Sequence, residues 1–234
     1  MLQIQTVKPE CLALLKELMG LKELKDFRLA GGTALSLRLG HRVSIDLDLF
    51  TNQRFDVTEF ITYLKTYFNE RIKIGGSNRY GVFTSIDGIK VDFLYRYEKF
   101  INNEGIYGDL RISSLEDIGA MKIQAAASRV SKKDYYDLFE LLNVYTFAEM
   151  IDFYSKMYTN NDVASTLKSM SDFGEVDLEE EPMSLRQVNW DQIKERVSTE
   201  IRNYIHLLQQ RKINAESERQ KTIEEIISRN RNKN

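Results

Sequence analysis

Residues 27–50 constrain this chain more than any other stretch. A short apolar run ends at Ala30, Gly31-Gly32-Thr33 follows, and a helix-length segment leads into Ser44-Ile45-Asp46-Leu47-Asp48-Leu49-Phe50. The last stretch alternates with period two, which predicts a strand carrying Ile45, Leu47 and Leu49 on one face and Ser44, Asp46 and Asp48 on the other. Two carboxylates at i and i+2 of one strand lie side by side, and their repulsion must be offset. A divalent cation does this well, because Mg²⁺ is held by one or two carboxylates together with substrate phosphates. A Gly-Gly-Thr turn entering a helix offers those phosphates bare backbone N–H groups and the positive end of a helix dipole. Either motif alone has an ordinary explanation, an edge strand or a turn. The order strand, Gly-Gly-Thr, helix, Asp-x-Asp strand is more specific and points to a metal-nucleotide site.

A chain of 234 residues buries a sizeable core as one large domain or two small ones. Only 2 prolines favour long helices over a turn-rich sandwich. The single Cys11 excludes an intramolecular disulfide, and His41 and His206 are too far apart in sequence to suggest a His-based metal centre. No signal-peptide pattern and no membrane-length apolar run is present, so a soluble cytoplasmic protein is expected. The net charge of −2 excludes a uniformly basic nucleic-acid binder and leaves that question to local patches.

The expected fold class is α+β. An apolar stripe over residues 8–24 predicts a helix, and strands are expected at 26–30 and 44–50 around a short helix at 33–39. An amphipathic helix at 57–70 is followed by strands at 71–75, 80–86 and 89–97, the last two joined by the Asp87-Gly88 turn. After Ser113 the pattern is helical, with helices at 115–129, 133–144, 147–158 and 163–172; Ser114-Leu115-Glu116-Asp117 resembles a capping box. Residues 1–112 therefore read as a small mixed-sheet core with flanking helices, and 113–234 as a helical domain. Within the latter, the acidic stretch 174–189 reads as a linker and 190–232 as a long helix whose final part, from Lys194, is mildly basic.

A third carboxylate comes from Ile89-Lys90-Val91-Asp92-Phe93-Leu94, where Asp92 stands between apolar neighbours on an expected strand. It is either on an exposed edge or beside the Asp-x-Asp strand, where it would complete a metal site or take a proton from an attacking hydroxyl. Lys122 lies at the edge of a helix face of small residues. Asp134 and Asp137, three apart in the first turn of the next helix, have two readings. They either favour the helix dipole and pair with Lys122 or Arg129, or line a pocket. Tyr135 and Tyr136 read as packing. His41-Arg42 is placed either to contact phosphate or to cap the preceding helix. Thr33 and Ser44 lack the His-plus-acid partners of a hydrolase triad.

Taken together, Ala30-Gly31-Gly32-Thr33-Ala34-Leu35, Arg38, His41-Arg42-x-Ser44-x-Asp46-Leu47-Asp48-Leu49-Phe50 resemble the first motif of the AbiEii/AbiGii-type nucleotidyltransferase toxins. That family falls in the DNA polymerase β-like nucleotidyltransferase superfamily. Lys90-Val91-Asp92-Phe93 resembles its third-carboxylate strand, and Leu115-Glu116-Asp117-Ile118 through Lys122, Arg129 and Lys133-Asp134-Tyr135-Tyr136-Asp137-Leu138 resemble its later Lys and Asp motifs. The likeness covers roughly residues 25–145; Gly-Gly-Thr stands where the superfamily usually has Gly-Ser.

The resemblance implies a polymerase β-like fold and Mg²⁺ held by Asp46, Asp48 and Asp92. Gly31, Gly32 and Thr33, with Arg42 and Ser44, would bind the nucleotide, and Lys122 would touch its phosphates. Asp134 or Asp137 would complete the catalytic pocket. It further implies transfer of an NMP from an NTP to an acceptor hydroxyl, most plausibly of RNA such as a tRNA 3′ end, by a toxin with a cognate antitoxin. A small-molecule acceptor such as an antibiotic, or a non-catalytic partner-binding module, are the alternatives.

Overall fold

The computed structural model describes residues 1–231, with side chains through 222; the last residues of the basic arm, 232–234, lie outside the described residues. Helix α1 (Pro9–Gly20) leads to β1 (Arg28–Ala30), α2 (Gly31–Leu39), β2 (Leu47–Thr51) and α3 (Val57–Phe68). Strands β3 (Ile72–Asn78), β4 (Gly81–Ile86), β5 (Ile89–Tyr95), β6 (Gly105–Tyr107) and β7 (Leu110–Ile112) follow. The remainder is helical: α4 (Leu115–Ser128), α5 (Lys132–Leu141), α6 (Phe147–Met157), α7 (Val163–Met170) and α8 (Trp190–Arg231). Among the described residues no helix is long and apolar enough to cross a membrane.

The seven strands form one mixed sheet in the order β3-β4-β5-β2-β1-β7-β6. Asp87-Gly88, both at positive φ, closes the β4–β5 hairpin as the sequence predicts. The β6–β7 hairpin is not among the sequence expectations; its signal is Gly108-Asp109, with Gly108 at φ 61°, between two three-residue strands. On one face of the sheet Leu47, Leu49, Val91 and Phe93 are buried. Phe93 meets Phe60 of α3 edge-on at 5.2 Å there. By alternation the other face carries Asp48, Phe50, Asp92 and Leu94, and α2 packs over it, with α4 and α5 behind.

One expected strand begins later than the alternation suggests. Ser44–Asp46 is not part of β2, and Ile45 is 51% exposed instead of sharing the core face. The reason is local: Ser44 bridges to Val7, the Ile45 carbonyl receives the Cys11 thiol, and the Asp46 carbonyl receives the Thr33 hydroxyl. These contacts bend the chain out of strand geometry until Leu47.

The helical part packs α4 against α5, α6 and α7, and the opening turns of α8 against α5 and α6 through Trp190, Ile193, Val197 and Ile201. Ser114 caps α4 by accepting from the Asp117 N–H, but the Asp117 carboxylate takes the Ile101 N–H and not the cap's own, so the box is half formed. Residues 174–189 hold one short turn of 3₁₀ helix, and residues 183–185 then run alongside 41–43. The Val43 N–H donates to the Met183 carbonyl at 3.0 Å and the Leu185 N–H to the His41 carbonyl at 2.8 Å.

Candidate active site

Strands β2 and β5 run parallel, and their register sets Asp48 directly beside Asp92, with Ala30 of β1 on the other side of Asp48. Asp92 is buried among strand neighbours. Its Oδ2 pairs with Lys90 at 3.0 Å, while its buried Oδ1 has no hydrogen-bond partner in the structure. Burial pushes the Asp48 carboxyl above the ordinary aspartate range; Lys122 opposes this, and Asp92 and Asp46 add to it. Asp46 lies just before β2, two residues away. Among the described residues no three His, Cys, Asp or Glu side chains form a ready-made metal cage. A pair of adjacent carboxylates with an orphaned oxygen and an uphill ionisation nevertheless fits a hard divalent cation, which needs only one or two protein carboxylates when phosphates supply the rest.

The Gly-Gly turn is shaped by side chains that approach it. Gly31 sits at φ 64°, and a Cβ there would lie 2.3 Å from Asp48 Oδ2; a Cβ on Gly32 would lie 2.1 Å from Arg42 Nη2. Both glycines therefore make room for charged groups of the site itself. The residue before α2 is Ala30, which offers no side-chain cap, so the first-turn N–H groups next to Asp48 are left for an anion. Thr33 differs from expectation. It is buried, and its hydroxyl donates to the Asp46 carbonyl and lies 2.9 Å from Ser44 Oγ. Thr33 and Ser44 thus fix the backbone under Asp46 and do not face a phosphate.

Behind α2 is a buried ionic network. Asp137 accepts from His41 Nε2 at 2.6 Å, from Arg42 Nε and Nη2 at 2.6 and 2.9 Å, and pairs with Lys122 Nζ at 2.6 Å. Asp134 accepts from Lys122 Nζ at 2.8 Å and from Arg129 Nε and Nη2 at 2.7 and 2.9 Å. Burial works against the charge of Asp137, but Arg42 and Lys122 overcome it and hold the carboxyl well below the usual range. Burial likewise opposes the Lys122 charge, and Asp137 and Asp134 overcome it and raise its pKa.

Several expectations are corrected by this network. Asp134 and Asp137 are fully buried ion-pair partners, the salt-bridge reading, and line no open pocket. Arg42 neither faces phosphate nor caps α2; Gly40, at φ 70°, ends that helix and Arg42 turns inward to Asp137. Lys122 is 4% exposed and held by two aspartates, so it acts on Asp48 through its field. Arg129, His41 and the strap at 183–185 complete the arrangement. Arg129 had a sequence signal in its spacing from Asp134; the strap had none. Tyr135 and Tyr136 are buried packing, as read. A cavity of about 990 Å³ opens elsewhere, at the carboxyl ends of β2 and β5 near Asn52 and Tyr95.

Comparison with known proteins agrees with this geometry. The Aquifex aeolicus (strain VF5) protein aq_aa25 is 31% identical over 210 residues, spanning 86% of this chain and 99% of the relative. Among solved structures, JHP933 from Helicobacter pylori matches with a TM-score of 0.51 at 17% identity, covering 90% of this chain and 98% of that one. Another solved structure from H. pylori, described as a "putative nucleotidyltransferase", matches with a TM-score of 0.50 at 16% identity, covering 87% and 98%. These likenesses show a fold shared with those two structures. A family model described as "Nucleotidyl transferase AbiEii toxin, Type IV TA system" matches residues 13–210, and the chain belongs to that family of nucleotidyltransferases.

Proposed function

We propose that the protein moves an NMP from an NTP to a hydroxyl of an RNA acceptor, with Mg²⁺, as the toxin of a toxin–antitoxin pair. The observation that carries this reading is the register of Asp48 against Asp92 beside the uncapped start of α2. Asp46 and Asp48 would hold the cation, which when bound neutralises charge on the triphosphate. The N–H groups of Gly31 and Gly32 bind phosphate oxygens at the positive helix end. Asp92, with its unpartnered oxygen, accepts the proton of the attacking hydroxyl. The acceptor oxygen then bonds to the α-phosphorus as the bond to pyrophosphate breaks in line. Lys122 contributes positive field from behind, while Asp134 and Asp137 fix it in place.

The test is incubation of the protein with each α-labelled NTP, Mg²⁺ and total RNA. Label in RNA with stoichiometric pyrophosphate, lost with a chelator and with Asp48→Asn, supports the reading. Pyrophosphate release with label only in small molecules moves the acceptor to that class. No turnover with any NTP overturns the reading. A cognate antitoxin, implied by the family, is tested by co-expressing the adjacent reading frame and scoring relief of growth arrest.

A further inference from the structure

The face that carries the carboxylates continues beyond them. Phe50 and Leu94 are the next registered pair after Asp48 and Asp92. Arg96 follows, its guanidinium 5.7 Å from the Phe50 ring centre and its Nη2 donating to the Tyr158 hydroxyl at 2.8 Å. Tyr158 lines the 990 Å³ cavity, as do Asn52 and Tyr95 at the ends of β2 and β5. Along β2 the alternation Asp48, Phe50, Asn52 leads from the carboxylates to this cavity. Four residue-to-residue steps lead from Asp48 to Asn52, roughly 13 Å. An acceptor that reacts at Asp48 and fills the cavity must be extended.

The cavity walls suit one kind of extended molecule. Arg28, paired with Glu104 at 2.6 Å, lies 3.8 Å from the centre of the Phe100 ring, and Arg54, outside the lining, lies 5.4 Å from that of Tyr95. Tyr97 is 75% exposed at the rim, next to the exposed Lys99. Lys156, paired with Asp152 at 2.7 Å, also lines it, and Glu98 is the one carboxylate among the lining residues. Asn52 holds the 96–100 segment in shape, donating to the Arg96 and Glu98 carbonyls and accepting from the Phe100 N–H. Aromatic faces interleaved with cations recognise unpaired nucleotides, since bases stack on the rings and phosphates meet the charges. We propose that this cavity seats the unpaired end of the RNA acceptor, with Tyr97 as a stacking platform and Lys99 and Lys156 as phosphate contacts. The inference rests on the RNA-acceptor reading above.

The experiment measures binding of a 5′-labelled single-stranded RNA with a free 3′ hydroxyl to the full chain by fluorescence anisotropy, over a salt series. Binding of a fluorescent NTP is followed in parallel. Tyr97→Ala is expected to weaken RNA binding roughly ten-fold, and Tyr97→Phe to stay within about two-fold of the parent, because the ring face is what stacks. Lys99→Ala and Lys156→Ala should each flatten the salt slope by about 0.7, one phosphate contact on a single strand. NTP affinity should be unchanged in all four. If the unsubstituted protein binds and labels RNA but the variants bind it equally well, with unaltered slopes, the cavity assignment is overturned and the acceptor reading stands. If the unsubstituted protein neither binds nor labels RNA, the acceptor reading fails and takes this inference with it.

Discussion

Burial raises the Asp48 carboxyl, and Asp92 and Asp46 raise it further, so its charge opposes folding at neutral pH until something positive arrives. Asp48→Asn should therefore leave the melting temperature equal or higher while cutting NMP transfer roughly 10³-fold, read by labelled-NTP turnover and thermal melts on the same preparation. Gly31→Ala tests the opposite kind of residue. The new methyl would meet Asp48 Oδ2 at a backbone with φ 64°, so both activity and stability fall, the latter by about 1–3 kcal/mol in urea unfolding. Asp137 is the structural extreme, with no exposed surface and bonds to His41, Arg42 and Lys122. Asp137→Asn should cost about 3–5 kcal/mol, because it leaves buried cations short of their partner. The sign of its pH dependence follows from the lowered pKa. An aspartate depressed in the fold contributes stability that is present above its unfolded value, about 4, and lost as pH falls below it. Acid unfolding should therefore steepen below about pH 4 and flatten in Asp137→Asn, as urea midpoints across pH would report.

Helices α4 and α5 contribute one cation and two anions to a shared lock: Lys122 from the first, Asp134 and Asp137 from the second. A double-mutant cycle on Lys122→Ala and Asp134→Ala should give a coupling of about 1–3 kcal/mol in urea unfolding; independent effects would show that this pair does not tie the two helices together. Local signals made much of this legible in the sequence. Gly31-Gly32 marks a turn into a helix, Asp87-Gly88 marks a hairpin, and alternation around Asp92 marks a strand, though not whether that strand is an edge. What stayed hidden depended on partners distant in sequence. Nothing around Ile45 announces that Thr33, Cys11 and Val7 will pull the chain out of β2. Arg42 looks like a phosphate ligand until Asp137, 95 residues later, is seen to take both arms of its guanidinium. Strands β6 and β7 are three residues each, too short to show a period.

Across the whole molecule, the acidic segment and the last helix are placed by contacts that composition does not announce. Residues 183–185 lie along 41–43, and Arg186 reaches the Leu39 carbonyl and the Glu140 carboxylate, so this strap braces the backbone that aims His41 and Arg42. Helix α8 spans 42 residues, about 63 Å, but only its opening turns are buried; from Ile205 through residue 222 its side chains are exposed. Its basic excess is of a kind that can meet RNA phosphates, yet Lys194 pairs with Asp177, Arg196 with Glu200 and Arg202 with Glu195. Surface pairs of this kind, like that of Lys156 with Asp152, contribute little to stability. Arg211 and Lys212 lie further out on the exposed part, ten and eleven residues beyond Ile201, the last buried residue of α8 among those whose burial is described. Reversing both, Arg211→Glu with Lys212→Glu in the full chain, should change RNA affinity by less than about three-fold at moderate salt, through long-range field alone. The melting temperature should stay put, because neither side chain is packed. A loss of ten-fold or more, with a slope change of about 0.7 for each cation removed, would instead place the RNA along the arm. Run beside the Tyr97 and Lys99 substitutions, the same titration decides whether the cavity or the arm meets the acceptor.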